Sequence, residues 1–519
     1  VVSNIVLRVS TSLDQPRAFN ERQFLKHYEE LRALPFPILE NLQPVQVARF
    51  VERSSKEPGM ELETQPVRIY PGITSMAHLL GYMRRDDSST ADEESFFHYR
   101  LPDFKGEIGL EAVFDTELRG KAGGKTMMVN RLGYRQAETL QNVPEPGQNV
   151  VLTIDTGIQQ AAERALFSAY GTNTRGAAVV MDAQNGDVLA MASAPVYDPN
   201  TFLGRISHAE WARLSDLKMR PLINRAMHEN YAPGSIFKIV VGLAALEQGV
   251  LEPTNFVHNP GYYLLGRRRI DDRAAPGDYD FRRAFSHSSN TYFIHHGLKP
   301  GVLQKVLALG HQLHLGERCD LLPRQEAAGH FPDGQSLALG WQPGDTANLS
   351  IGQGAISVTP LQMAVMTAAV ANGGKVYWPR LVDRIEPAEP GDGQQTNHFP
   401  AGRLRNELSV SAANLQVIRQ AMLADVEDRG GTGGAAAVPG LHIGGKTGTA
   451  EIEHNGRMVD KNTWFVSFAP VENPRYVVVV MVESGASGGK TCAPIAKQIY
   501  QAIQKRFSSP LAAATGGAK

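Results

Sequence analysis

Cysteine is nearly absent from this chain of 519 residues: Cys319 and Cys492 are its two thiols. Two are too few for a disulfide-stapled scaffold or a Cys-rich zinc site, and they do not decide the redox compartment. Long apolar runs are missing as well. A bilayer-crossing helix needs about 20 consecutive apolar residues, and the most apolar stretch, Val477 to Val482, is short and β-branched like a buried strand. Charge of one sign is missing too. With 52 Lys and Arg against 53 Asp and Glu the formal charge is -1, which offers nothing to nucleic acid or to a strongly anionic partner. There is no internal repeat and no coiled-coil heptad. No initiator Met and no signal-like apolar region precede the alternating segment Val1 to Val9, so the chain reads as a fragment whose upstream anchor is missing.

What remains is an ordinary globular composition, 42% hydrophobic, with length for roughly three domains of about 150 residues. Residues 1–148 read as a separate region of short strands and loops. It has helical spacing in Glu21 to Leu34, an alternating segment at Val67-Arg68-Ile69-Tyr70, and a solvated loop at Arg84 to Glu94. Pro144-Glu145-Pro146-Gly147 then breaks the chain.

Residues 149–507 form the second expected domain, and 508–519 a flexible tail. Val150 to Ile154 reads as a strand, and Asp155 caps a helix from about Thr156 to Ala169. Ala177 to Met181 and Val188 to Ala192 read as a hairpin about Asn185-Gly186, a dipeptide that supplies two positive-φ residues. Further strands are expected at Leu441 to Ile443, Thr463 to Phe468 and Tyr476 to Val482, and Thr359-Pro360 opens a helix that stops before Gly373-Gly374. Strands at both ends of a domain with a helical centre predict an α+β architecture, an antiparallel sheet covered by helices.

Three short motifs carry the chemistry: Ser235-Ile236-Phe237-Lys238, Ser288-Ser289-Asn290 and Lys446-Thr447-Gly448-Thr449. Each alone is weak. Ser215/Lys218 and Ser487/Lys490 share the first spacing, but one lies in a polar amphipathic segment and the other in a Gly-rich loop. Ser235 instead follows the turn Tyr231-Ala232-Pro233-Gly234 and opens a largely apolar helix to Gln248. That position offers a free backbone N–H and the positive end of the helix dipole to an oxyanion.

Lys238, three residues on, shares a helix face with the hydroxyl. A serine needs a base within reach, and a lysine serves only when neutral, a state favoured by burial and by a second cation such as Lys446. A capping serine with a lysine stretched to solvent has the same spacing and is the competing reading. In the second motif the Ser288 hydroxyl is placed to relay a proton and the Asn290 amide to hold a peptide group, although an ordinary polar turn has the same composition. In the third, Gly448 lets a substrate approach a strand beginning at Leu441 and pair with its backbone. The N–H of Thr449 is a second oxyanion donor, and Lys446 with the hydroxyls of Thr447 and Thr449 attracts a carboxylate.

In this order the three motifs resemble those of penicillin-binding proteins and class A β-lactamases. The whole chain is similar to class B penicillin-binding proteins, monofunctional peptidoglycan DD-transpeptidases, and most to the elongation type. Gly109-Leu110-Glu111 to Leu118-Arg119-Gly120, Arg68-Ile69-Tyr70-Pro71 and Gly81-Tyr82 resemble the family's pedestal. Pro195 to Asn200, Gly352-Gln353-Gly354 with Thr359-Pro360, and Trp464-Phe465-Val466 resemble its catalytic domain. The resemblance implies a transpeptidase domain of the penicillin-binding and serine β-lactamase fold on an N-terminal pedestal. It implies that Ser235 attacks the penultimate D-Ala carbonyl of a donor stem peptide, releases the terminal D-Ala and passes the acyl group to an amine on a neighbouring strand, with no metal or cofactor.

It further implies acylation by β-lactams, a membrane anchor upstream, a catalytic domain in the periplasm or on the outer face of the cytoplasmic membrane, and a glycan-polymerising partner of the SEDS family. Asn290 departs from the pattern: elongation-type members often carry Asp there, whereas Asn is usual in division-type enzymes. A division-type transpeptidase, a DD-carboxypeptidase, and a β-lactam sensor or inactive scaffold stand as alternatives. A β-lactamase fits less well, because no Glu is placed to position a deacylating water and the first 148 residues would have no use.

Overall fold

The computed structural model describes residues 2–30, 34–40, 42–53, 60–63, 67–72, 74–86, 103–132, 134–389, 395–454 and 457–508. The expected tail, most of the expected solvated loop and the last turn of the expected helix after Glu21 lie outside the described residues. The chain divides into two compact units, residues 1–69 with 120–147 and residues 70–119 with 148–519.

The first unit holds helices at Val2–Ser12, Glu21–Glu30 and Pro44–Arg53 and a hairpin of Gly124–Val129 with Arg135–Asn142. Short strands and loops do not describe it. The Val1 to Val9 segment alternates, yet Val6 and Val9 also recur at helical spacing and the helix buries both; Leu13, just past its end, is buried as well, and Val9 and Leu13 pack against Phe50. Val67 to Tyr70 is not a strand either.

The second unit is built on an antiparallel sheet of five strands: β1 (Gly176–Asp182), β2 (Val188–Ala194), β3 (Gly444–His454), β4 (Arg457–Ala469) and β5 (Tyr476–Glu483), in the order β3-β4-β5-β1-β2. Both faces are covered, which is why β5 reads as an unbroken apolar run. Val477, Val479 and Met481 join a core with Trp464 of β4 and the central helices. Val478, Val480 and Val482 face Ile158, Ile495 and Ile499 of the helices Thr156–Tyr170 and Ala493–Ser508. Asp155 caps the first of these, accepting from the N–H groups of Gly157 and Ile158. Thr359 caps Pro360–Asn372 in a reciprocal box with Gln362, and Gly373 at φ 98° ends it.

Two local expectations change. Only Gly186 of the Asn185-Gly186 pair has positive φ, because the Asn185 side chain accepts from the Asp187 N–H and a bulge at Val180/Met181 absorbs the extra length. The strand expected from Leu441 begins at Gly444, since Leu441 closes a turn back onto Val438.

The pedestal-like and catalytic motifs meet inside this unit. The Asn200 amide pairs with both backbone groups of Tyr70, each at 3.0 Å, and the Tyr70 hydroxyl donates to buried Glu111 at 3.0 Å. Gly81 and Gly109, both at positive φ, touch so closely that a Cβ on Gly109 would stand 2.6 Å from the Gly81 nitrogen.

Candidate active site

Ser235 sits on a tight 3-10 turn, Gly234–Phe237, that runs into α1 (Lys238–Glu247), so the α-helix expected from the serine starts at the lysine. The turn is held from several sides. The Gly234 N–H donates to Gly352 O at 2.8 Å, Tyr231 and Val358 exchange backbone hydrogen bonds, and Trp464 Nε1 donates to Ala232 O at 3.1 Å. The Tyr231 hydroxyl donates to Glu483, which also takes Nε of buried Arg225 at 2.7 Å.

Lys238 is 0% exposed, which removes the reading of a lysine stretched to solvent. Its Nζ donates to Ser288 O at 2.7 Å, Ser288 Oγ at 3.3 Å and Asn290 Oδ1 at 2.8 Å. Burial holds the amine well below the ordinary lysine range. The neighbouring Lys446 pushes the same way, Asp272 opposes, and Arg273 adds to the lowering.

The second motif is more than a polar turn. It lies in the break between Phe281–Ser286 and α2 (Asn290–Gly297), and Ser288 takes a left-handed φ of 59°. The middle residue, Ser289, is the structural one. Its hydroxyl caps α2 and donates to Asp272 Oδ2 at 2.7 Å, the oxygen that also receives the Thr291 N–H at 2.8 Å. With Ser289 committed there, Ser288 and Asn290 both reach Lys238.

Lys446 is also 0% exposed, on β3, with Nζ 3.6 Å from buried Asp425. Burial draws the amine down and the Asp425 carboxyl up, and each opposes the shift of the other. Thr432 Oγ1 bridges Asp425 to Thr447 Oγ1 at 2.5 and 2.6 Å, and Thr449 Oγ1 accepts from the Gly488 N–H at 3.4 Å. β3 is the edge strand of the sheet and keeps one side of its backbone free of strand partners. It lies directly against the serine's turn. A Cβ on Gly234 would be 3.2 Å from Thr449 O and Ala450 N, and one on Gly448 would be 3.0 Å from Ile236 Cγ2 and Pro233 O. The three motifs therefore line one place.

Residues 176–501 match the family model of the penicillin binding protein transpeptidase domain, and residues 2–152 match that of the penicillin-binding protein dimerisation domain. The chain belongs to the class B penicillin-binding proteins of the elongation type. This penicillin-binding protein is 29% identical over 493 residues to the peptidoglycan D,D-transpeptidase MrdA of Haemophilus influenzae, covering 90% of this chain and 74% of that protein. Among solved structures it is similar to penicillin-binding protein 2 of Pseudomonas aeruginosa in complex with WCK 5153, at 34% identity and a TM-score of 0.67, covering 85% and 90% of the two chains. It is also similar to penicillin-binding protein 2 of Helicobacter pylori in complex with MreC, at 25% identity and a TM-score of 0.75, covering 98% and 92%.

Three residues of the site in this penicillin-binding protein escaped the sequence reading: Asp272, Asp425 and Thr432. Only Asp425 leaves a signal. It continues the apolar stripe Leu415, Ile418, Met422 at helical spacing on Ala412–Glu427, where a carboxylate needs a buried partner. Among the described residues no group of three or more His, Cys, Asp or Glu is placed to hold a metal ion, and none of the helices is long and apolar enough to cross a membrane.

Proposed function

We infer that the chain is a serine-type peptidoglycan D,D-transpeptidase that cross-links stem peptides during cell elongation, with Ser235 as its nucleophile. The observation that carries this is the convergence of Lys238, Ser288, Asn290 and Lys446 on the turn bearing Ser235. As the neutral amine that burial and Lys446 favour, Lys238 keeps two N–H donors for Ser288 O and Asn290 Oδ1, and its lone pair takes the proton of Ser235 as its oxygen attacks the penultimate D-Ala carbonyl. The N–H groups of Ser235 and Thr449 hold the oxyanion. Ser288 passes the proton to the leaving D-Ala nitrogen, and Asn290 holds the donor's peptide group.

The donor adds to the free edge of β3 as an extra strand, Gly448 permitting the approach, while Lys446, Thr447 and Thr449 attract its terminal carboxylate. An amine of a second stem peptide then takes the acyl group. β-Lactams acylate the same oxygen, and no cofactor enters. The work is done on the outer side of the cytoplasmic membrane, where an N-terminal anchor holds the enzyme beside a SEDS-family glycan polymerase and the elongation machinery. A solved peptidoglycan synthase complex, similar to this chain, that coordinates polymerization and crosslinking supports a polymerising partner, and the complex of the Helicobacter pylori relative with MreC supports a second protein partner.

The test is a soluble donor ending in D-Ala-D-Ala, supplied with and without an amine acceptor. Transpeptidation gives a cross-linked product that grows with acceptor and is absent from Ser235→Ala. Release of D-Ala with water as the only acceptor used would make the enzyme a carboxypeptidase.

A further inference from the structure

The oxyanion donors Ser235 N–H and Thr449 N–H lie on different elements, the 3-10 turn Gly234–Phe237 and β3. Their separation is therefore set by what fixes the turn to the sheet. Side chains add to the backbone contacts that the turn makes with Gly352 and Val358. Trp464 of β4 donates to Ala232 O at 3.1 Å, and the Tyr231 hydroxyl donates to Oε1 of Glu483, the last residue of β5, at 2.9 Å. The two rings meet edge to face with centroids 6.1 Å apart.

The Glu483 carboxylate is itself held from two sides. Its Oε1 also accepts from Arg225 Nε at 2.7 Å, and its Oε2 lies 3.2 Å from Arg175 Nη1. Arg225 is 1% exposed and has no room to swing away: Nη1 and Nη2 donate to Arg220 O at 3.1 Å and Met219 O at 2.8 Å, and its backbone N–H donates to Ser193 Oγ of β2 at 2.9 Å. Contacts of this kind with a guanidinium fix a carboxylate in direction as well as distance. Beyond Glu483 the chain turns at Ser484, with φ 56°, and is laid across the sheet. A Cβ on Gly488 would stand 2.2 Å from Trp464 O and 2.6 Å from Gly448 O, and the Gly488 N–H donates to Thr449 Oγ1 at 3.4 Å. One short segment, residues 483 to 488, thus holds the serine's turn at one end and the donor residue of β3 at the other.

We propose that Glu483, oriented by Arg225, is a positioning residue of the reaction, setting through the Tyr231 hydroxyl the spacing of the two N–H groups that meet the oxyanion. The proposal rests on Ser235 being the acylated nucleophile. Binding of the donor along β3 does not depend on that spacing. The tetrahedral oxygen that forms on attack does, so the loss of the contact falls on the chemical step.

The experiment uses the whole chain and two probes. A chromogenic cephalosporin gives saturation kinetics that separate the dissociation constant of the first complex from the acylation rate constant. An acylaminomethaneboronic acid forms a tetrahedral adduct with the serine and places an oxygen where the oxyanion forms. Tyr231→Phe removes a single oxygen and leaves Glu483 paired with Arg225. It is expected to slow acylation by about tenfold or more, to weaken the boronic acid by the same factor, and to leave the first complex unchanged. Glu483→Gln should slow acylation as well, and in the Tyr231→Phe background it should add little, because no hydroxyl is left for it to hold. Should Glu483→Gln fold poorly, Tyr231→Phe decides alone. Acylation by Tyr231→Phe at the wild-type rate, a loss confined to the first complex, or slower acylation with undiminished boronic acid affinity would overturn the proposal, as would full additivity of the two substitutions. Peptide mapping of the wild type after reaction with a labelled penicillin separates the causes. Label away from Ser235 overturns the nucleophile and the positioning together, whereas label on Ser235 with any of those results overturns the positioning alone.

Discussion

Lys238 Nζ lies 2.8 Å from Asn290 Oδ1, so the proposed base is held by a neutral amide. An amide accepts the hydrogen bond without adding charge, and the forces that lower the lysine's pKa are left unopposed at that contact. Asn290→Asp puts an anion at this distance and should move the basic-side rise of the acylation rate to higher pH by about one unit or more. Penicillin acylation rates measured across pH check this. An unmoved profile would mean that Lys238 is not the group titrating.

The same lysine sets a wild-type pH dependence. Its folded pKa is lowered, so the neutral base is populated, and acylation rises, as pH climbs through a value well below the ordinary lysine range. Because the unfolded chain then binds the extra proton, the stability tied to this site is smallest below the folded pKa. It increases up to the unfolded lysine value of about 10.4. Lys238→Ala should cut acylation by about a hundredfold or more with an unchanged circular dichroism spectrum. Acylation at normal speed would reject Lys238 as the base.

Gly352 supports the nucleophile from behind. It has a φ of 71°, and a Cβ there would lie 2.0 Å from the Gly234 carbonyl oxygen, which is backbone and cannot swing aside. Gly352→Ala should displace the serine's turn and slow acylation by about a hundredfold. A control at Gly204, where a Cβ meets nothing within 4 Å, should leave acylation at the wild-type rate.

Asp425 is the counter-charge beneath Lys446, with both side chains 0% exposed. Asp425→Asn leaves the lysine buried and unpaired at a cost on the order of 3 kcal/mol, which urea unfolding would read. It should also weaken donors with a terminal carboxylate more than amidated ones, since the Lys446 amine falls further toward neutrality.

The order of the three motifs, the apolar strands and the capped helices were legible because each is a local pattern. β5 is a run of six consecutive β-branched or Met residues, and Asp155 and Thr359 cap the helices that follow them. Ser288 and Asn290 were legible as a pair, but the reason they face Lys238 was not. It lies in Ser289 and Asp272, which meet only after the chain has passed through the strand Gly277–Tyr279 and the helix Phe281–Ser286. The first unit misled for a different reason, since short Val-rich segments satisfy strand and helix periods together and Phe50 decides between them through packing. The partnership of Asp425 with Lys446 is likewise a long-range event that spacing does not carry.

The most direct measurement of the central claim is peptide mass mapping after reaction with a labelled penicillin. The label is expected on the peptide containing Ser235, and neither Ser235→Ala nor denatured protein should take it up. Label on Ser215, Ser487 or any other residue, or an unmodified chain, would contradict the assignment of the nucleophile and of the site built around it.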